Sequence, residues 1–157
     1  MYTIHPLSAR PQHVEACAAW AYGRWGVQRA EGSLERALGL FRAAAQGPGP
    51  LPLTFVAQDG RGLPVGMGSL WAQDGDEWPQ HTPWAAALYT HYRWRGRGVA
   101  RAILARLEDA ARAQGHTALY LHTGSAVGLY APLGYAPLET IPADTGAGTL
   151  TLMRKAL

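Results

Sequence analysis

The sequence predicts an α/β domain built on a mixed β-sheet. One observation is a helical pattern over residues 98–115, which lies between two apolar segments, "WAAALYTHY" before it and "TALYLHT" after it. A second is the segment "LTFVAQDGRGLPVGMGSLWAQ", in which a turn rich in glycine and proline separates two strand-like runs, as in an antiparallel hairpin. A crossover helix joins parallel strands and a hairpin joins antiparallel ones, so the sheet should contain both kinds of pairing.

The first half of the chain contains a short strand and two helices. "YTIHPL" alternates like a strand, and Pro11 suits the first turn of a helix that runs to Gly26. Ser33 is a candidate N-cap for a second helix, which "GPGP" ends. Apolar side chains repeat along one face of each helix: Val14, Cys17, Ala18 and Ala21 in the first, and Leu34, Ala37, Leu38, Phe41 and Ala45 in the second.

The second half supplies the crossover helix, a short helix and a last strand. Residues 125–133 are predicted to form the short helix, which Gly134 closes, and "GTLTLMRKAL" is predicted to be the strand. At 157 residues without internal repeats, the chain is predicted to form one domain, residues 1–157. The apolar face of the crossover helix comprises Ala100, Ile103, Leu104, Leu107 and Ala111.

Composition and charge narrow the class of protein. The net charge of +3 is concentrated between Arg93 and Arg112. The single cysteine, Cys17, excludes an intrachain disulfide and suits a reducing compartment. There is no signal-peptide core and no apolar stretch long enough for a membrane span, so we expect a cytoplasmic protein with no membrane partner. The six histidines show no metal-ligand spacing, so no metal is expected.

The most informative stretch is "YRWRGRGVARAIL", where a strand passes through a glycine loop into the crossover helix. The first backbone N–H groups of a helix lack helical partners and lie at the positive end of its dipole, which attracts phosphate. Gly96 and Gly98 remove the Cβ atoms that would hold an anion away from this backbone. Arg95, Arg97 and Arg101 add positive charge around it. Neither the dinucleotide fingerprint nor a Gly-Lys-Ser/Thr sequence is present, so the loop predicts a different phosphate-bearing cofactor.

Two other interpretations of this stretch stay open. It could be a solvated basic helix start, although two glycines weaken a helix start that binds nothing. Tyr92 and Trp94 alternate with arginines, as in a nucleic-acid-binding patch, but no nucleic-acid-binding motif surrounds them. We therefore expect no nucleic-acid partner.

The same stretch resembles the cofactor motif Arg/Gln-x-x-Gly-x-Gly/Ala of the GNAT superfamily of acetyl-CoA-dependent N-acetyltransferases, with Arg95, Gly98 and Ala100 at the defined positions. "WAAALYTHYRWRGRGVARAIL" is similar to the family's fourth strand, pyrophosphate loop and third helix taken together. "LYLHT" is similar to its fifth strand, and "GLYAPLGY" to its Leu-Tyr-x-x-Leu-Gly-Phe/Tyr/Trp segment. With "LPLTFVAQDG", "VGMGSL" and "TLTLMRKAL", the resemblance extends through nearly the whole chain.

The resemblance implies a GNAT-like fold: a central mixed, mostly antiparallel sheet of six to seven strands, flanked by four helices, with splayed fourth and fifth strands. It implies acetyl-CoA as co-substrate, with the pantetheine arm entering between those strands as an added strand would. Main chain at Leu88 and Thr90 would bind the arm, and an N–H near Tyr89 would donate to the developing oxyanion. The pyrophosphate would lie on Arg95, Gly96, Arg97, Gly98, Val99 and Ala100.

By the same resemblance, Tyr130 matches a tyrosine that commonly protonates the sulfur of coenzyme A as general acid. The alternative is a core aromatic side chain on a short helix. The sequence departs from the family pattern at two positions. Pro132 removes an N–H inside the short helix, a distortion that Gly128 could absorb, and this bears on the position of Tyr130. Tyr92 stands where the family often has proline, and this bears on the approach of the chain to the glycine loop.

The general base is harder to predict, because "WAAALYT" lacks the carboxylate that many relatives have in the fourth strand. The preceding loop offers Asp74 and Asp76, which would hold a cationic amine or accept its proton through a water. An ordinary polar turn is the alternative. The other candidates are Glu77, His81, His91 and His122, the last of which is interpreted as a polar residue at a strand end.

We therefore predict an acyltransferase that moves an acetyl group from acetyl-CoA to a primary amine of a small molecule or a peptide, by direct attack in a ternary complex. A non-catalytic acyl-CoA-binding or regulatory domain is the alternative. The terminal strand and a Trp-rich surface suggest a homodimer. Six aromatic residues are expected around the acceptor side: Trp20, Tyr22, Trp25, Trp71, Trp78 and Trp84.

Overall fold

The computed structural model describes residues 1–47, 49–144 and 147–157, which form a seven-stranded sheet with four α-helices. The strands are β1 Tyr2–Pro6, β2 Leu53–Asp59, β3 Pro64–Trp71, β4 Trp84–Thr90, β5 Ala118–Thr123, β6 Ala136–Pro142 and β7 Thr149–Ala156. The helices are α1 Val14–Arg24, α2 Leu34–Ala44, α3 Val99–Ala113 and α4 Val127–Tyr130. Within the described ranges, no helix combines the length and the apolar character that crossing a membrane requires.

The strands lie in the order β1-β2-β3-β4-β5-β7-β6. Neighbouring strands are antiparallel except β4 and β5, which are parallel and are connected through α3. Their pairing in the described structure consists of Trp84 with Tyr120, beside a hydrogen bond of 3.1 Å from Tyr120 N to Pro83 O. Past this pair the two strands separate toward their carboxyl ends. The predicted mixed, mostly antiparallel sheet with splayed fourth and fifth strands is confirmed.

Local signals in the sequence set several element boundaries. The Ser33 hydroxyl accepts a hydrogen bond of 3.0 Å from Arg36 N, as an N-cap does, and α2 follows. In the predicted hairpin, the Asp59 carboxylate accepts from the N–H groups of Arg61 and Leu63, both at 2.9 Å. The first helix is shorter than predicted, because Pro11 begins a 3₁₀ turn and α1 starts after it.

Two features near the ends of the sheet differ from the sequence prediction. β4 ends at Thr90, because His91 caps a 3₁₀ turn by accepting from the N–H of Arg93 at 3.4 Å. β6 is an edge strand that the sequence did not predict. Its side chains are exposed along nearly the whole strand and two of its residues, Pro137 and Pro142, are prolines, so it lacks the alternation by which a half-buried strand is recognised.

The two faces of the sheet bury separate cores. α3 covers one face through Ile103, Leu104 and Leu107, which are at most 1% exposed. α1 and α2 cover the other face, where Phe41 and Cys17 are buried. Burial raises the pKa of the Cys17 thiol to about 12, so this cysteine stays protonated and serves as a small apolar residue.

Two glycines of β3 allow α3 to lie close to the sheet. A Cβ atom on Gly68 would lie 2.6 Å from Cγ2 of Ile103. A Cβ atom on Gly66 would lie 2.8 Å from Cγ1 of Val99 and 3.1 Å from the carbonyl oxygen of Tyr89. Neither distance is compatible with an undisturbed side chain, so glycine at these positions sets how near the amino-terminal half of α3 approaches β3.

A buried carboxylate joins α3 to the far end of the sheet. Glu108, 6% exposed, accepts a hydrogen bond of 3.0 Å from the Tyr135 hydroxyl and one of 2.8 Å from Lys155 Nζ. Tyr135 is itself buried, and burial together with the Glu108 charge raises the pKa of its hydroxyl. Because Lys155 belongs to β7 and Tyr135 precedes β6, the network fixes the position of α3 relative to both strands.

Gly68→Ala should lower the free energy of unfolding by about 1–3 kcal/mol, because the added methyl group overpacks the core against Ile103. Each kcal/mol should lower the midpoint of thermal unfolding by about 2–4 °C. Gly39→Ala is the control, because Gly39 is exposed in α2 and no atom lies within 4 Å of a Cβ built there. That change should stabilise the chain by about 0.5–1 kcal/mol. Equal midpoints for the two variants would contradict the close seating of α3.

Tyr135→Phe should lower the free energy of unfolding by about 1.5–3 kcal/mol, because it removes a hydrogen bond to a buried carboxylate with little change of shape. Urea unfolding at neutral pH measures this loss. Tyr92→Phe is the matched control, because that hydroxyl accepts from Arg93 on the surface. It should change the free energy by less than about 0.5 kcal/mol. A Tyr135→Phe variant as stable as this control would mean that Glu108 does not depend on Tyr135.

Candidate functional site

The glycine loop predicted to bind a cofactor lies between the end of β4 and the start of α3, and its residues 95–98 are exposed. Gly96 and Gly98 have φ values of 72° and 78°, in the left-handed region that favours glycine. Gly98 is the N-cap of α3, and the first hydrogen bond of the helix runs 3.0 Å from Ala102 N to Gly98 O. The N–H groups of residues 99–101 therefore lack helical partners. This backbone can receive an anion.

Aromatic and main-chain contacts hold the arginine side chains of the loop. Arg95 Nε donates to the carbonyl oxygen of Thr90 at 3.2 Å. The guanidinium of Arg97 lies 5.1 Å from the centroid of the Trp94 ring, and Trp94 packs edge-to-face on Tyr2 of β1 with centroids 6.2 Å apart. The loop is thus held by one contact to β4 and by another to β1, while its charged groups stay exposed to solvent.

β4 contains a bulge just before its end. Met67 of β3 pairs with Tyr89, whereas Ser69, two residues along, pairs with Ala86, so β4 has one extra residue. Ala87 has a φ of 50°, which a residue other than glycine seldom adopts. The bulge turns the main chain at the point where β4 has already separated from β5.

The predicted arm-binding residues follow this bulge directly. Leu88 packs toward α3, whereas the ring of Tyr89 lies on the opposite face, 5.0 Å from the ring of Trp20. The Thr90 hydroxyl oxygen is buried and has no hydrogen-bond partner among the described residues. The structure thus brings Leu88, Tyr89 and Thr90 to the edge of the gap, next to the glycine loop.

Tyr130 is the last residue of α4 and packs against the core under α3. Its ring lies edge-to-face on Tyr135 with centroids 6.0 Å apart, and burial raises the pKa of its hydroxyl above the ordinary value of 10.0. The short helix predicted over residues 125–133 is divided in two. α4 ends before Pro132, which lies in the 3₁₀ turn Ala131–Leu133, and this change of helix type accommodates its missing N–H.

The loop between β3 and β4 brings Asp74 to β5, where it contacts His122. Nε2 of His122 lies 3.1 Å from Oδ2 of Asp74 and 3.2 Å from the Asp74 carbonyl oxygen. The His122 and Asp74 side chains are only 15% and 13% exposed. Burial alone lowers the pKa of His122, but the hydrogen bonds and charge of Asp74, together with the charge of Glu77, raise it above the ordinary 6.5. Asp74 thus favours the imidazolium form.

The other candidates from this loop are placed differently. Asp76 is exposed, whereas Asp74 is largely buried against His122. The two carboxylates are therefore in different surroundings. Glu77 has one buried carboxylate oxygen without a hydrogen-bond partner among the described residues. His81 stacks on Tyr120 with ring centroids 4.3 Å apart. Within residues 1–47, 49–144 and 147–157, no three His, Cys, Asp or Glu side chains could together hold a metal ion.

Two of the tryptophans expected to line an acceptor pocket belong to the core. Trp84 is 0% and Trp78 is 3% exposed, and they stack on each other. Trp78 Nε1 donates to Glu139 of β6 at 2.7 Å, and Trp84 Nε1 donates to the carbonyl oxygen of His81 at 2.8 Å. Through these two hydrogen bonds, the loop of residues 72–83 is held to β6 and to the start of β4. Partly buried aromatic residues beside α1 and α2 are Trp20, Tyr22, Trp25 and Trp71.

Several solved structures share this fold over nearly the whole chain. The yncA protein of Salmonella typhimurium, solved with its cofactor acetyl-CoA, is 19% identical with a TM-score of 0.75, and the match covers 100% of this chain and 94% of that one. The ribosomal-protein-alanine N-acetyltransferase of Brucella melitensis is 20% identical with a TM-score of 0.74, over 99% of both chains. A chain of the NatC complex bound to Gag peptide and CoA is 15% identical with a TM-score of 0.72, over 99% and 98%. No curated protein sequence matches.

A family match complements this likeness of fold. The sequence model of the Acetyltransferase (GNAT) family matches residues 14–135, which include β4, the glycine loop and Tyr130. The matched segment covers well over half of the chain, and the resemblance drawn from the motifs is confirmed. This chain belongs to the acetyltransferase (GNAT) family.

Proposed function

We propose that this chain transfers an acetyl group from acetyl-CoA to a primary amine by direct attack in a ternary complex. The observation that supports this most is the exposed glycine loop at the start of α3, which lies beside the open end of the gap between β4 and β5. An anion-binding backbone next to a gap in a sheet suits a ligand with a pyrophosphate at one end and an extended amide arm at the other.

The residues present fit acetyl-CoA. No atom lies within 4 Å of a Cβ built on Gly96, so the space over the loop is open to a pyrophosphate. Arg95, Gly96, Arg97, Gly98, Val99 and Ala100 would hold this group, and main chain at Leu88, Tyr89 and Thr90 would bind the arm. When bound, acetyl-CoA supplies an acetyl group activated as a thioester.

The chain's own residues then have separate tasks. An N–H of the bulged strand near Tyr89 would donate to the carbonyl oxygen as negative charge develops on it. The Tyr130 hydroxyl, which is protonated at neutral pH like any tyrosine hydroxyl, would donate a proton to the departing sulfur. Asp74 and Asp76 would attract a cationic amine to the loop side of the gap.

The loop of residues 72–83 indicates the class of acceptor. A primary amine of a small molecule or of a peptide suits the carboxylates of the loop of residues 72–83, and this chemistry is shared by aminoglycosides, polyamines, amino acids and protein amino termini. The only cysteine, Cys17, has a free, buried thiol, and this suits the reducing conditions of the cytoplasm, where we place the protein. A homodimer stays a prediction from the sequence.

Coenzyme A should raise the midpoint of thermal unfolding, and Gly98→Ala should reduce the rise by about half or more. At a hundred times its dissociation constant a ligand adds about 2.7 kcal/mol. Gly98 has a φ of 78°, so a side chain there would strain the N-cap and displace the N–H groups of the helix start, and affinity should fall about tenfold or more. Gly115→Ala is the matched control, because Gly115 has a similar φ of 85° at the other end of α3. It should cost similar stability, about 1–2 kcal/mol, and leave affinity unchanged.

A duplex oligonucleotide at the same salt concentration should not raise the midpoint. Stabilisation by the oligonucleotide without stabilisation by coenzyme A would contradict the proposal and support a nucleic-acid-binding patch. Equal loss of coenzyme A affinity in the two glycine variants would show that strain, rather than the lost cradle, weakens binding.

Tyr130→Phe should lower turnover by about 10²-fold or more and leave the dissociation constant of coenzyme A unchanged, because it removes a proton donor without removing a cofactor contact. The measurement is thiol release from acetyl-CoA with kanamycin, spermidine, L-lysine and a peptide with a free amino terminus. Tyr92→Phe, an exposed tyrosine beside the loop, is the control. Full turnover by Tyr130→Phe would refute the assigned acid, and binding without thiol release by the unmodified chain would favour a non-catalytic acyl-CoA-binding domain.

A further inference from the structure

His122 lies on the part of β5 that borders the gap. It is two residues past Tyr120, which pairs with Trp84 where the two strands still meet. The preceding residue, Leu121, packs under α3, so the alternation of the strand places the His122 side chain on the opposite face. There its ring lies 5.7 Å from the ring of Trp84. The imidazole therefore stands at the edge of the gap, on the face away from α3.

The contacts of His122 determine which ring nitrogen carries the proton. Both partners of Nε2, the carboxylate and the carbonyl oxygen of Asp74, are acceptors, at 3.1 and 3.2 Å. Nε2 must therefore be the donor, and in the neutral ring Nδ1 carries the lone pair. Nδ1 has no hydrogen-bond partner in the part of the chain that the structure describes.

Tyr130 and His122 are on opposite faces of the sheet. Tyr130 packs into the core under α3, whereas His122 contacts Trp78 and Trp84 on the other face. A reaction across the gap, in which the sulfur leaves on one side and the amine arrives on the other, needs a proton donor on the first side and a proton acceptor on the second. The two side chains have the chemistry that these sides require.

Resting on the proposed acetyl transfer, we propose that Nδ1 of His122 is the general base for the acceptor amine, with Asp74 holding the imidazole. The amine reacts in its neutral form, after its ammonium form has released a proton to solvent, and the carbon–nitrogen bond forms while the carbon–sulfur bond breaks. The amine proton passes to Nδ1, and the sulfur takes its proton from the Tyr130 hydroxyl. Exchange with solvent then returns both side chains to their starting protonation states. Asp74 stabilises the imidazolium that the step creates, in the manner of an aspartate behind a catalytic histidine.

The charges that face His122 come from the loop of residues 72–83. Asp74 bonds to Nε2, and Glu77 adds a second negative charge. The contacts of His122 on the other sides are neutral. They are the rings of Trp78 and Trp84, and Leu152, the residue of β7 with which His122 pairs. Because the carboxylates favour the charged ring, replacing Asp74 by asparagine should lower the pKa of His122. The base would then be available at lower pH but would be weaker.

The arrangement can be tested without a substrate. In the ¹⁵N NMR spectrum of the unmodified chain, the neutral His122 ring should carry its proton on Nε2 and should titrate above pH 6.5, the ordinary value. Asp74→Asn should shift that titration to lower pH. A neutral ring protonated on Nδ1, or a titration that Asp74→Asn leaves in place, would overturn the inference.

The catalytic role is tested by His122→Gln, whose side-chain amide can still donate to Asp74 but cannot accept a proton. Thiol release from acetyl-CoA with spermidine, kanamycin, L-lysine or the free peptide should fall by about 10²–10⁴-fold, while the dissociation constant of coenzyme A stays the same. The acid limb of the kcat/KM profile should move to lower pH in Asp74→Asn. His116→Gln, at a histidine between α3 and β5, is the control and should change neither quantity.

The outcomes separate this inference from the proposed function. Full turnover by His122→Gln, or an acid limb that Asp74→Asn does not move, overturns the assignment of the base and leaves acetyl transfer intact. Absence of thiol release from the unmodified chain with all four amines overturns the proposed function and the base together.

Discussion

The architecture depends on the short pairing between β4 and β5. Two antiparallel groups of strands, β1 to β4 and β5 to β7, meet in the described structure at one parallel pair, Trp84 with Tyr120. A longer parallel ladder would close the sheet and leave no space within it. Because the ladder stops, the backbone of β4 becomes free at its bulge, and α3, which connects the two strands, carries its amino terminus to the mouth of the gap.

The two faces of the sheet divide the chemistry between them. The face under α3 holds the glycine loop and Tyr130, and the Glu108 network fixes that helix to β7. The opposite face holds the Asp74 and His122 pair, fastened by tryptophans. In the proposed reaction, Tyr130 would give a proton on the face under α3 and His122 would take one on the opposite face.

The sequence predicts features that adjacent residues determine, and it does not predict contacts between residues that are far apart along the chain. The Ser33 cap, the hairpin and the start of α3 next to Gly98 follow from a few adjacent residues, and the sequence predicts all three. Asp74 and His122 are 48 residues apart, and Glu108 and Lys155 are 47 apart. No spacing rule connects such pairs, because the folded sheet alone brings them together.

The number of aromatic residues does not predict where they lie, and the residue pattern of β6 does not predict a strand. A count of tryptophans cannot distinguish a pocket wall from a core, and Trp78 and Trp84 turn out to be buried. β6 lies at the edge of the sheet with exposed side chains, so burial imposes no alternating pattern on it. Its existence follows from pairing with β7, which is a property of the partner strand rather than of its own sequence.

The hydrogen bond from Trp78 to Glu139 has a mechanical consequence. It connects the loop between β3 and β4, which belongs to one group of strands, with β6, which belongs to the other. This tie lies beside the Trp84 and Tyr120 pair, so the two groups of strands are joined at the closed end of the gap. The loop of residues 72–83, which holds Asp74 against His122, is thereby attached to both groups of strands.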